Sequence, residues 1–287
     1  MLDFVAIPGV ALALAALLGL VVGSFLNVVI LRLPPRLMHA WREQSREMLE
    51  LDTADSASPP GIIWESSHCP QCKHKLGVLE NIPLLSWLAL RGRCRHCATR
   101  ISVQYPLVEL LTCLSSVVIV WKFGLSWQSG AGLLFTWTLI ALSGIDLHTQ
   151  LLPDQLTLPL LWLGLLIALL PLFVASEASI LGAAAGYLSL WSIYWLFKLA
   201  TGKEGMGYGD FKLLGALGAW MGLFALLPIV LLASLIGAVV GGTFLAVQGR
   251  DRATPIPFGP FLAAAGWVQF VFGGQILSLY RYLFGFV

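Results

Sequence analysis

The stretch that decides the fold is Leu213–Gly249, LLGALGAWMGLFALLPIVLLASLIGAVVGGTFLAVQG, which runs for 37 residues without an Asp, Glu, Lys, Arg or His. A membrane-crossing helix needs about 20 apolar residues. This run is too long for one pass and holds Pro228, so it reads as two helices joined by a tight turn near Phe224–Pro228. Working outward, the other uncharged runs are Phe4–Leu31, Phe123–Ile145, Gln155–Ser176, Ala178–Phe197 and Ala253–Tyr280. Ile101–Trp121 is charged only at Glu109 and joins them. The expectation is an all-α polytopic membrane protein with about eight transmembrane helices. Composition agrees: 58% of residues are hydrophobic and 11% charged, where a soluble domain carries about 25% charged residues. A soluble enzyme, a disordered chain and a disulfide-rich secreted domain are excluded. The first run is too long for a cleaved signal peptide, and it lacks a basic start and a small-residue cleavage site.

Charge is concentrated. Residues 32–100 hold 17 of the Asp, Glu, Lys and Arg residues, although the whole chain has only 17 Lys and Arg and 15 Asp and Glu. This divides the chain into a first transmembrane helix at 1–31, a polar head at 32–103 and a seven-helix body at 104–287. With eight spans, the side that receives the head also receives the loop 146–154, the segment 198–212 and the loop 249–253. Lys122 and Arg281 are the only Lys and Arg residues expected on the opposite side. Excess Lys and Arg mark the cytoplasmic side. The head is therefore expected in the cytoplasm and both termini outside. The acidic Ser- and Pro-containing stretch Glu43–Pro60 reads as an exposed linker or short helix within the head.

Four of the five cysteines form two knuckles, Cys69-Pro-Gln-Cys72 and Cys94-Arg-His-Cys97. Paired CxxC turns at this spacing are the ribbon pattern for tetrahedral zinc. Two disulfides or four free thiols are the alternatives, and a cytoplasmic location argues against disulfides. Four thiolates fill the coordination sphere, so the site is expected to be structural, a staple for a zinc-ribbon-like head between helices 1 and 2. His68, His74 and His96 flank the knuckles and read as surface residues, because Cys69, Cys72, Cys94 and Cys97 suffice. Cys113 reads as helix packing.

The body has few acids, and an acid in a membrane segment is a functional candidate. Asp146 follows an uncharged run, Asp154 ends Leu151-Leu152-Pro153-Asp154, and Asp210 ends Gly205-Met206-Gly207-Tyr208-Gly209-Asp210. Asp146 and Asp210 fall at the same depth, each at the cytoplasmic end of a helix. Two adjacent carboxyls share a proton. One then serves as base toward a water and the other as acid, which is aspartic-protease chemistry. Gly207 and Gly209 open the backbone for a substrate strand. Asp154 suits the N-cap of the next helix.

These residues resemble the type IV prepilin peptidases, inner-membrane aspartic proteases of the GxGD type. The resemblance spans nearly the whole chain. It rests on Gly23-Ser24-Phe25-Leu26-Asn27-Val28 with Arg32-Leu33-Pro34, on the four cysteines, on Asn81-Ile82-Pro83-Leu84-Leu85-Ser86-Trp87 and on Tyr105-Pro106-Leu107-Val108-Glu109. It also rests on Asp146 through Leu152-Pro153-Asp154 and on Gly207-Tyr208-Gly209-Asp210-Phe211-Lys212. The resemblance implies Asp146 and Asp210 as catalytic residues, with Gly207, Gly209, Asp154 and Lys212 in the active-site loops. It implies cleavage of the basic leader of type IV prepilins and of type II secretion pseudopilins, after a glycine at the cytoplasmic face. It further implies N-methylation of the new N-terminal residue with S-adenosylmethionine as donor. Glu109, inside a span, is expected to pair with a basic group or to contact substrate. The expected surroundings are the bacterial inner membrane, with no nucleic-acid partner.

Two other readings compete. A proton- or ion-coupled transporter would use Asp146, Asp154 and Asp210 as carriers, but would place acids at mid-membrane and show an internal repeat. A non-enzymatic docking factor would leave the GxGD loop without a purpose.

Overall fold

Backbone amides in hydrocarbon must be paired within the chain, so long apolar segments become helices. The computed structural model describes residues 8–51, 58–248 and 257–284, and among these it is helical, with two isolated β-bridges and no strand. The helices are α1 (Pro8–Met48), α2 (Leu85–Ala89), α3 (Gln104–Phe123), α4 (Trp127–Thr149), α5 (Asp154–Ala168), α6 (Ser176–Thr201), α7 (Tyr208–Met221), α8 (Leu226–Gln248) and α9 (Gly259–Phe284). Five segments are long and apolar enough to cross a membrane, namely those within α1, α3, α4, α6 and α8. The protein is a multi-pass membrane protein. The expected loop 249–253 lies outside the described residues.

The chain forms two compact units, Met1–Ala141 and Leu142–Val287. In the first, α1 packs on α3 at backbone contact. A Cβ on Gly19 would lie 2.8 Å from Cα of Cys113, and one on Gly23 would lie 2.7 Å from Cα of Glu109. Small residues four apart allow this approach where no hydrophobic effect drives association. α1 does not stop at Leu31: it continues through Pro34 and Pro35 to Met48. The Glu43–Pro60 stretch therefore begins as helix, and residues 52–57 lie outside the described set. Arg32 and Arg36 extend from this part of α1 to the head. Arg32 donates to the carbonyls of Gly61, Glu65 and Ser66, and Arg36 to those of Pro59 and Pro60.

In the second unit α7 is the core. Phe211 and every residue from Leu213 to Trp220 are buried. At 14 residues it is about 21 Å long, shorter than the roughly 30 Å of hydrocarbon, and it is covered by its neighbours. The Trp220 indole donates to the Leu160 carbonyl of α5 at 2.8 Å, and the Ser179 hydroxyl of α6 donates to the Ala219 carbonyl at 2.6 Å. The long run divides as expected into two helices, but earlier than Phe224–Pro228. The chain turns at Gly222, whose φ is +78°, and passes through a short 3-10 turn at Leu223–Ala225. Pro228 lies in the first turn of α8, where its missing N–H costs no hydrogen bond.

Candidate active site and metal centre

Asp146 lies in the last turn of α4, and Asp210 in the first turn of α7. Both are buried, with 4% and 7% exposure, and they are close enough for the charge of one to act on the other. The N–H of Gly259, at the start of α9, donates to Asp146 Oδ2 at 3.0 Å. Asp210 Oδ1 is buried with no hydrogen-bond partner among the described residues. Leu152 joins the two sides. A Cβ on Gly209 would meet Leu152 Cβ at 2.6 Å. A Cβ on Gly259 would meet both Leu152 δ-carbons at 3.1 Å and Asp146 Oδ2 at 2.6 Å. Close approach therefore requires glycine at both positions. Gly207 precedes α7 in extended backbone as its N-cap. Tyr194 and Tyr208 each pack on Phe211, and Tyr187 meets it edge-on. These rings fix the start of α7.

Gly259 was not singled out from sequence. Its one signal is Pro257-Phe258-Gly259-Pro260 at the head of an apolar run, which reads equally well as a turn. Asp154 corrects an expectation. The N-cap of α5 is Pro153, and Asp154 is the first helical residue. Its carboxylate instead takes Lys212 Nζ at 2.6 and 2.8 Å. This links the start of α5 to the first turn of α7.

Glu109 is buried in α3, as expected. Its partner is not a basic side chain: Oε2 accepts the backbone N–H of Leu84 at 2.7 Å. Leu84 has a φ of +60°, and the buried carboxylate holds this strained turn of the head against α3.

The four knuckle cysteines are unpaired, and their sulfurs lie within 4.8 Å of one another. Cys69 and Cys97 are 3.7 Å apart, and Cys72 and Cys94 3.9 Å. Four sulfurs at about 2.3 Å from one zinc stand about 3.8 Å apart, so the set fits a tetrahedral ion. A disulfide requires about 2.05 Å. The two knuckles repeat one backbone plan. Cys69 N–H donates to the His74 carbonyl and Cys94 N–H to that of Thr99, both at 2.9 Å, while Lys73 and Ala98 take positive φ. Backbone N–H groups of Cys72 and Gln71 hold the Cys69 thiol down to about 6, while burial and the neighbouring sulfurs push the Cys72 thiol up to about 11, so the crowded set favours one thiolate at the expense of the next.

A helical membrane scaffold with a buried pair of aspartates and a four-cysteine head defines the class, and comparison with known proteins agrees. Residues 17–123 match the Bacterial Peptidase A24 N-terminal domain, and residues 133–242 match the Type IV leader peptidase family. A relative from Xanthomonas campestris pv. campestris is 56% identical over 95% of both chains. One from Stutzerimonas stutzeri is 54% identical over 97% of this chain and 96% of its own. One from Pseudomonas aeruginosa is 50% identical over 100% and 99%. Each is named a prepilin leader peptidase/N-methyltransferase. The chain belongs to the type IV leader peptidase family. No solved structure matches. The transporter alternative finds no support in these relatives.

Proposed function

We propose that this chain cleaves the leader from type IV prepilins and methylates the residue exposed, with Asp146 and Asp210 performing the cleavage. The names and coverage of its relatives support the pair of activities. The observation that carries the residue assignment is the buried carboxyl pair, in which Asp146 Oδ2 is held by the Gly259 amide and Asp210 Oδ1 has no hydrogen-bond partner among the described residues. A buried acceptor without a partner suits a group that binds water or substrate.

The pair holds one proton. The ionised carboxylate takes a proton from water, and the water oxygen bonds to the scissile carbonyl carbon. The other carboxyl gives its proton to the amide nitrogen. The C–N bond then breaks, leaving a carboxyl on the leader and an amine on the mature protein. Leu152 and the two glycines keep the loops around the pair in place, and the Lys212–Asp154 ion pair ties α5 to α7.

The distribution of Lys and Arg supports a cytoplasmic active site in a bacterial inner membrane. On this reading the chain comprises the span 1–31, the head 32–103 and the peptidase body 104–287. Pseudopilins of type II secretion, with leaders of the same kind, are further substrates. Cys69, Cys72, Cys94 and Cys97 would hold a structural zinc, supplying the fold of the head. S-adenosylmethionine would donate the methyl group. We assign methylation to the first unit, where a cleft lined by Ser24, Phe25, Ser67 and Asn81 lies between α1 and the head.

The test is purified protein in detergent with a prepilin and S-adenosylmethionine, followed by the intact mass of the product. Loss of the leader and gain of one methyl are expected. An unchanged mass in folded, zinc-loaded protein contradicts the proposal.

A further inference from the structure

The sequence sets His74 and His96 aside as surface residues, but the fold gathers them. Their ring centroids are 3.5 Å apart. With Glu80 they form a second group in which each residue offers a ligand atom within 4.8 Å of the others. The group shares no residue with the four-cysteine set.

Each of the three stands on fixed backbone. His74 follows the first knuckle, and its carbonyl takes the Cys69 N–H at 2.9 Å. His96 lies inside the second knuckle, and its N–H points at Cys94 Sγ at 3.4 Å. Glu80 sits in the 3-10 turn Leu79–Asn81, with Oε2 held by the Gly77 N–H at 2.9 Å. The Thr99 hydroxyl donates to Gln71 and links the two knuckles. Two imidazoles and one carboxylate suit a borderline divalent ion such as zinc or nickel. Three protein ligands leave a coordination position for water or another ligand.

We propose that His74, Glu80 and His96 form a second, exchangeable site for a divalent transition-metal ion on the outer face of the cysteine-stapled head. It is weaker than the four-thiolate site because it has three neutral or singly charged ligands and stays open to solvent. Arg95, within electrostatic range of Glu80, weakens it further.

The test is cobalt titration of the purified full-length protein in detergent, after removal of bound metal. Cobalt on thiolates gives intense near-ultraviolet charge-transfer bands, and cobalt on imidazole and carboxylate does not. About two ions per chain are expected, one per site, with thiolate bands complete after the tighter ion. In His74→Ala/His96→Ala the second ion is lost while the thiolate bands stay full, and Glu80→Gln weakens the second ion at least tenfold. Binding of a single ion by the unaltered protein overturns the proposal. So does a second ion that brings thiolate bands of its own, or one retained by the double variant. Should the double variant misfold and lose both ions, Glu80→Gln and the unaltered protein still decide. Normal second-ion affinity in Glu80→Gln would remove the carboxylate from the site.

Discussion

The backbone amide of Gly259 donates a 3.0 Å hydrogen bond to Asp146 Oδ2, and a Cβ at that glycine would lie 2.6 Å from the same oxygen. α9 thus fixes one member of the acid pair with a group that has no side chain to vary. Gly259→Ala must push the carboxylate aside. Misplacement of a reacting group by about 1 Å costs on the order of 100-fold in rate. The expected result is a fall of that order in kcat/KM for leader cleavage, with normal methylation of a precleaved pilin. Wild-type cleavage by Gly259→Ala would remove this contact from the mechanism.

Asp154 and Lys212 form an ion pair with N–O distances of 2.6 and 2.8 Å, but the Asp154 side chain is 50% exposed. Exposed pairs contribute about 0–1 kcal/mol. Asp154→Asn and Lys212→Met should therefore each lower cleavage only several-fold, and the double variant should resemble either single one. Additive losses in the double variant would mean that the two residues act separately. Complete inactivity of Asp154→Asn would mark it as a reacting group.

Glu109 accepts the Leu84 amide at 2.7 Å. Leaving a buried donor unpaired costs about 1–3 kcal/mol. Glu109→Leu should lower the thermal midpoint and reduce methylation more than cleavage, whereas Glu109→Gln, which keeps an acceptor, should lie close to the native protein. Equal midpoints for the two variants would mean that the bond does not anchor the head.

Metal removal tests the head. Dialysis against a strong chelator, or Cys69→Ser with Cys72→Ser, should strip zinc and make the head protease-sensitive, because binding free energy is folding free energy in such domains. Methylation should fall at least tenfold, while cleavage persists. A folded, protease-resistant head without metal contradicts the structural role.

The acid pair and the cysteine set were legible because each chemistry leaves a local mark. Asp146 and Asp210 stand out in a body with little charge, and the knuckles carry a fixed spacing. The turn inside Leu213–Gly249 was legible from length but not its position, since Pro228 fits a first helical turn and Gly222 supplies the positive φ. The extension of α1 was not legible. Pro34 and Pro35 argue for a helix end, and only the fold reveals that Arg32 and Arg36 anchor this segment to five carbonyls of the head. Gly259 was hidden for another reason: it contributes a backbone amide, which every residue except proline carries, from a position 113 residues after Asp146.

The most direct measurement is leader cleavage by Asp146→Asn and Asp210→Asn in purified, folded protein, read as the intact mass of a prepilin product. Asparagine keeps the shape and loses the acid chemistry, so neither variant should remove the leader, while both should still methylate a precleaved pilin. Cleavage at the native rate by either variant would contradict the assignment of the pair.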